Sequence, residues 1–370
     1  MCKSPLHPLL LALPKIEHHL HIEGTLTPDL LTTLSKRNSI PLPTDPAYAS
    51  PAALLNHYET FTSLSDFLTS YFTASRYLIT SLDFYELTLT YILHAASQNV
   101  RHLELSFDPQ AHTARGVTYE TVRDGIVAAC HEAETATAAR SASTGGGGGG
   151  GGITTSIILC FLRDRAPHEA LATLRAALPD FANRTLAGIG LDGAETGYPP
   201  ELFADVYALA AEHGIRRTAH AGEEAGPASV RGALDALDVA RIDHGVALRE
   251  DGALRKRVAE RGALVTLCPV SNVRLKCVRS VGELPVREFL KDGVRWSVNS
   301  DDPAFFGAGV QACWCAVQEA FELGVEEWRG VCEAGIEGSW CGEERKEEIK
   351  TEMEKAFREW GEGSGEGVKG

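Results

Sequence analysis

His19 and His21 stand two residues apart in Pro-Lys-Ile-Glu-His-His-Leu-His-Ile-Glu-Gly, and in an extended chain that spacing puts both imidazoles on one face. Two imidazoles on one face can meet one cation, although the pair alone fits two packed histidines as well. Three further runs carry matching chemistry. His220 lies in Thr-Ala-His-Ala-Gly-Glu-Glu with Glu223 three residues on, His244 lies in Arg-Ile-Asp-His-Gly, and Asp301 and Asp302 lie in Asn-Ser-Asp-Asp-Pro. Three histidines and one aspartate (His19, His21, His220 and Asp301) suit one zinc ion per chain, because zinc accepts imidazole and carboxylate and leaves a position for water. Water on zinc is acidified enough to supply hydroxide near neutral pH. Attack of that hydroxide on a ring carbon bearing an amine needs a proton delivered to the neighbouring ring nitrogen, a role for Glu223. His244 would orient the hydroxide, Asp301 would share in proton transfer and Asp302 would hydrogen-bond the heterocycle. The other histidines (7, 18, 57, 94, 102, 112, 131, 168 and 213) read as surface or packing residues.

These residues need a scaffold that gathers them, and the chain supplies its signature. Short runs read as strands at 14–20, 101–107, 155–162, 186–192, 215–221, 241–246, 263–268 and 294–300. Stretches of helical periodicity lie between them, such as Pro200 to His213 and Val230 to Val239. Strands alternating with helices imply parallel pairing. Eight such units without a glycine-rich phosphate loop predict an α/β fold of the (β/α)8 TIM-barrel kind rather than an open doubly wound sheet. His220, His244 and the Asp301–Asp302 pair then end strands at the carboxyl edge, where barrels keep their reactive groups. We expect one domain over 1–342, with a helical insertion at about 27–99 between the first and second strands, over the barrel mouth. The polyglycine run 145–152 reads as a flexible surface loop, and 343–370 as a charged amphipathic helix, expected to be solvated, with a glycine-rich tail.

Composition narrows the partners. The chain has 370 residues, 44% hydrophobic and 23% charged, enough for a large core. A formal net charge of -15 argues against nucleic-acid or anionic-membrane binding through a broad basic surface, so a small-molecule substrate fits better. Nine cysteines without a CxxC pair suggest a reducing compartment. The apolar stretch from Leu9 to Pro14 is too short to span a membrane, and removing it as a signal would damage the first motif. A cytoplasmic or nuclear location is expected.

Taken in order, Pro-Lys-Ile-Glu-His-His-Leu-His-Ile-Glu-Gly, His-Ala-Gly-Glu-Glu, Arg-Ile-Asp-His-Gly, Cys-Pro-Val-Ser-Asn and Asn-Ser-Asp-Asp-Pro resemble the adenosine/adenine deaminase family over roughly residues 13 to 340. The resemblance implies a TIM barrel, zinc at His19, His21, His220 and Asp301, Glu223 as proton donor, His244 beside the hydroxide and Asp302 on the purine. Within the family the chain is similar to the fungal and bacterial adenine-acting members, in Phe107-Asp108-Pro109-Gln110, Cys160-Phe161-Leu162-Arg163 and Pro303-Ala304-Phe305-Phe306-Gly307. It carries Glu23 where nucleoside-acting members usually have aspartate. The implied reaction is hydrolysis of adenine to hypoxanthine and ammonia, with adenosine or a modified adenylate as the alternative substrate. Glu23 and the bulk of Phe305 and Phe306 are expected to reduce the room for a sugar. The family's backbone contact to the purine maps to Gly193, where a glycine equally serves a tight strand-end turn. His18 and the polyglycine run depart from the family pattern. Two other readings are a barrel that binds purine or zinc without catalysis, and a cytidine-deaminase type imitated by His21-Ile22-Glu23. The second also requires a PCxxC element, which the chain lacks.

Overall fold

The computed structural model describes residues 2–143 and 151–364. Eight strands, β1 (Lys15–Glu17), β2 (Val100–Phe107), β3 (Thr154–Leu162), β4 (Gly188–Asp192), β5 (Arg216–Ala221), β6 (Arg241–His244), β7 (Leu264–Leu267) and β8 (Arg295–Val298), pair in parallel and in sequence order. Each falls within or beside one of the eight expected runs. The strands are buried on both faces over most of their length, and β3 carries a continuous apolar run from Ile157 to Leu162, as a parallel sheet covered by helices requires. The fold is a (β/α)8 barrel. Among the described residues no helix is long and apolar enough to cross a membrane.

β1 is shorter than expected, for a reason that matters to the site. After Glu17 the chain divides its backbone bonds between its two neighbours instead of continuing one ladder. On one side Leu20 O accepts from Ser106 N and Ile22 N donates to Ser106 O, each at 2.8 Å. On the other, His21 N donates to Asp301 O at 3.1 Å and Asp301 N to His19 O at 3.2 Å. The segment that closes the barrel is therefore the one carrying the paired histidines. Alternation sends His19 and His21 inward and His18 outward, where its Nε2 meets Gly335 O at 2.8 Å. Burial lowers the His18 pKa to about 4, so the unusual residue packs as a neutral ring.

Between β1 and β2 lie the helices Pro28–Arg37, Pro51–Tyr58, Leu64–Ser75 and Ser81–Ser97. Ser63 caps the third by accepting from Asp66 N, and Thr80 with Asp83 forms a capping box on the fourth. Leu64, Phe67, Leu68 and Tyr71 repeat at helical spacing and present one face toward the carboxyl ends of the strands. Of the polyglycine run only Gly151 and Gly152 are among the described residues, and the end of the glycine-rich tail lies outside them. The C-terminal helix Glu343–Ser364 corrects the expectation of a solvated element, since Ile349, Met353 and Phe357 are buried along one face.

At the amino end of β1, Lys15 is fully buried, its Nζ donating to Leu13 O at 3.1 Å and lying over the Trp314 ring. Burial lowers its pKa to about 7. As pH falls from about 10.5 toward 7, the unfolded chain gains a proton that the folded one refuses, so stability drops across that window. Below it both states are protonated and the penalty is complete. Lys15→Met is therefore expected to be more stable than the parent at pH 7, by a few kcal/mol at most, with the advantage shrinking near pH 10.5. Urea unfolding at the two pH values checks this, and an advantage independent of pH would refute it.

Candidate metal and catalytic centre

The expected residues converge at the carboxyl ends of the strands. His21 Nε2 lies 3.3 Å from His19 Nε2 and 3.2 Å from His220 Nε2. Asp301 Oδ1 lies 3.1 Å from His19 Nε2 and 3.6 Å from His21 Nε2. All four side chains are buried, and Asp301 Oδ1 finds no hydrogen-bond donor among the described residues. Imidazole nitrogens crowded this closely, against an orphaned carboxylate oxygen, fit a cation. Bonds of about 2.0–2.1 Å from a tetrahedral zinc set ligand separations of roughly 3.3 Å. Burial opposes the Asp301 charge, yet the facing imidazoles of His19 and His244 hold its pKa below the usual carboxylate range.

Outer groups aim these ligands. Thr218 Oγ1 and Thr266 Oγ1 donate to the two oxygens of Asp243 at 2.6 and 2.7 Å, and Thr266 Oγ1 lies 3.1 Å from His19 Nδ1. Asp192 Oδ2 lies 3.5 Å from His21 Nδ1. Contacts on Nδ1 leave Nε2 of each ring for a metal. The backbone is also held in an uncommon state, because Asp301 and His244 have φ of 67° and 66°. Non-glycine residues enter that left-handed region at a cost of roughly 1 kcal/mol or more, and such positions cluster at functional sites.

Glu223 and His244 adjoin the ligands. His244 Nε2 lies 3.7 Å from Glu223 Oε2 and 4.0 Å from Asp301 Oδ2. Nδ2 of Asn272, from the Cys-Pro-Val-Ser-Asn run, lies 3.1 Å from His244 Nδ1, and an amide proton given there leaves the ring proton on Nε2. Burial lowers the His244 pKa to about 3, so the ring is neutral. Burial, reinforced by the Asp301 charge, raises the Glu223 pKa well above the ordinary value, which favours a carboxyl that carries a proton.

The loop holding Glu223 is fixed by Glu195, a residue the motifs did not point to. Its carboxylate accepts from the backbone N–H groups of Gly222, Glu223, Glu224 and Ala225 at 2.7, 3.0, 3.2 and 2.8 Å. Ser229 Oγ donates to it at 3.0 Å. Gly222, at φ +74°, permits the turn. Asp302 is buried next to Gly24, where a Cβ would fall 2.0 Å from Asp302 Oδ1. The glycine of His-Ile-Glu-Gly thus makes room for the second aspartate. Burial and the neighbouring Asp301 raise the Asp302 pKa well above the usual range.

Above the cluster is a cavity lined by His21, His220, Glu223, His244, Asp301, Asp302 and Gly193. Its remaining wall comprises Leu64, Phe67, Leu68 and Tyr71 of the covering helix with Asp108, Leu162, Asp192 and Leu275. Glu23, Phe305 and Phe306 are not in this lining, which changes the expectation that their bulk meets a ligand. Glu23 Oε1 instead bonds His112 Nε2 at 2.7 Å and Asp108 N at 3.2 Å. Phe305 and Phe306 pack behind Phe67, with ring centroids 5.4 and 5.0 Å away. All three act by supporting the wall. Asp192 and Glu195 were given no role, since lone carboxylates carry no motif, and Asp108 was named only within Phe107-Asp108-Pro109-Gln110. Leu64, Phe67, Leu68 and Tyr71 lie in the expected helical insertion, and their i, i+3, i+4, i+7 spacing was the signal for which of its faces lines the cavity.

A family model described as Adenosine deaminase matches residues 14–356. An adenine deaminase of Schizosaccharomyces pombe is 46% identical over 363 residues, covering 97% of this chain and 95% of that relative. Among solved structures, an adenine deaminase from Arthrobacter aurescens superposes with a TM-score of 0.84 at 39% identity, over 94% of this chain and 99% of that one. An amidohydrolase from Burkholderia ambifaria with bound zinc superposes with a TM-score of 0.83 at 27% identity, over 96% and 93% of the two chains.

Proposed function

The chain belongs to the adenosine deaminase family, and from that membership and its site we infer that it is a metal-dependent hydrolase converting adenine to hypoxanthine and ammonia. The metal proposed is zinc, and the observation that carries the chemistry is the meeting of Glu223, His244 and Asp301 around the imidazoles beneath a cavity. The ligands proposed are His19, His21, His220 and Asp301. Zinc held there would supply the Lewis acidity that brings a water molecule's pKa near neutrality.

The chain's own groups account for the rest. Glu223, protonated in its buried loop, donates to purine N1 as the attacking oxygen adds to C6, so that charge does not build on the ring. The neutral His244 ring directs Nε2–H at the same oxygen and orients it. Asp301 accepts a proton from that oxygen and passes it toward the departing amine, which leaves as ammonia. Asp302, kept protonated by burial, can donate to N7, and Gly193 presents backbone to the pyrimidine edge. Water is excluded by Leu64, Phe67 and Leu68 on one side and Leu162 and Leu275 on the others.

The direct test is ammonia release from adenine, adenosine and adenylate by the zinc-loaded protein. Turnover is expected with adenine, with adenosine lower by about a hundredfold or more. Comparable turnover of adenine and adenosine would remove the adenine assignment while leaving the deaminase chemistry in place.

A further inference from the structure

We propose that Asp108 determines the preference for the free base by accepting the hydrogen on purine N9, a hydrogen that a nucleoside replaces with a sugar carbon. The proposal rests on the adenine reading above and deepens it. Asp108 follows β2 and is buried on the cavity wall. One oxygen, Oδ2, accepts from Tyr71 OH at 3.0 Å, and the other, Oδ1, has no donor among the described residues. A buried acceptor without a donor costs free energy, and a ligand N–H would relieve it.

The order of strands around the barrel says which part of the purine meets it. With C6 over the ligands, Glu223 after β5 faces N1 and Asp302 after β8 faces N7. On the arc from β8 to β5, the strands β2, β3 and β4, which carry no ligand, then face the opposite edge, N9 and N3. Asp108 after β2 and Gly193 after β4 are on that arc and both line the cavity. N9 is bonded to C8 and so lies on the N7 side of this edge, toward Asp108. N3 lies on the N1 side, toward Gly193. The neighbouring carboxyl, Asp192, also has oxygens without a donor among the described residues, but it ends β4 beside Gly193 and so lies on the N3 side, its Oδ2 3.5 Å from His21 Nδ1.

Asp108 is also held rigidly. Its backbone N–H donates to Glu23 Oε1 at 3.2 Å, Glu23 Oε1 bonds His112 Nε2 at 2.7 Å, and His112 Nδ1 lies 2.6 Å from Arg115 Nη2. Glu23 thus acts on specificity through Asp108. A site built to bond one polar hydrogen rejects ligands lacking it far more strongly than an apolar wall rejects extra bulk.

The experiment compares adenine with 9-methyladenine, which lacks the N9 hydrogen, on the zinc-loaded wild type and on Asp108→Asn, which preserves side-chain size. Asp108→Asn is expected to lower kcat/KM for adenine at least about tenfold, mostly through KM, and to leave 9-methyladenine unchanged. Discrimination between the two bases therefore shrinks at least tenfold with metal content unaltered. If the Asn variant does not fold, Asp108→Ala gives the same ratio readout. Equal losses on both bases, or an unchanged ratio, would overturn the role of Asp108 while normal wild-type turnover of adenine preserves the functional reading. Absence of wild-type turnover with adenine would overturn both.

Discussion

Glu223→Gln is expected to lower kcat for adenine by roughly 10²- to 10⁴-fold, the range for removal of a general acid–base group, with metal content unchanged. Glutamine has the same shape, and the loop is fixed through backbone N–H groups donated to Glu195, so the substitution leaves position intact. What disappears is the proton. Glu223 is buried, and its carboxyl is held above its ordinary pKa by burial and Asp301, so it can carry a proton to N1 and take one back. An amide can hydrogen-bond N1 but cannot transfer charge to it. KM should therefore change little while kcat collapses. Steady-state kinetics with metal analysis of the same sample checks this, and a variant of near-normal rate would remove Glu223 from the proton-donor role.

The adjacent aspartates are expected to fail in different ways. Asp301→Asn should lower metal affinity by more than the 10- to 100-fold typical of outer-shell changes and reduce activity to background. Asp301 Oδ1 is the carboxylate oxygen facing His19 and His21, and an amide offers a cation no negative charge. Asp302→Asn should retain one metal per chain and, because its amide can still donate to N7, lose only about 0.5–1.5 kcal/mol of transition-state interaction, roughly 2- to 13-fold in kcat/KM. Metal analysis of the purified variants separates the two. Loss of metal from Asp302→Asn with retention in Asp301→Asn would mean that the roles are exchanged.

The gap between expectation and structure is local and has a physical cause. The strand runs were visible because parallel barrel strands are buried on both faces and read as short apolar blocks separated by helical periods. β1 read as a longer strand because its alternation continues through His21, although its bonds pass from β2 to β8. The C-terminal helix looked solvated because its charges outnumber the few apolar residues, Ile349, Met353 and Phe357, that bury one face. Glu195 is one acidic residue among fifty by sequence, and only the folded loop brings four backbone N–H groups onto its carboxylate. Glu23 was expected to crowd a sugar directly, but the turn after β1 points its carboxylate at His112 and the Asp108 backbone.

By itself the sequence determined which side chains can bind a cation and move a proton, because residue type fixes that chemistry and strand period fixes which of His18, His19 and His21 face inward. It also determined the barrel, through eight alternating units. The tertiary structure alone decided how those groups are aimed and what encloses the substrate. Aim depends on contacts between distant segments: Asn272 on His244, Thr266 and Asp243 beneath His19, Glu195 under Glu223, and Gly24 against Asp302. The unpaired oxygen of Asp108 on the cavity wall belongs to the same class, since a carboxylate's partners are set by what folds around it.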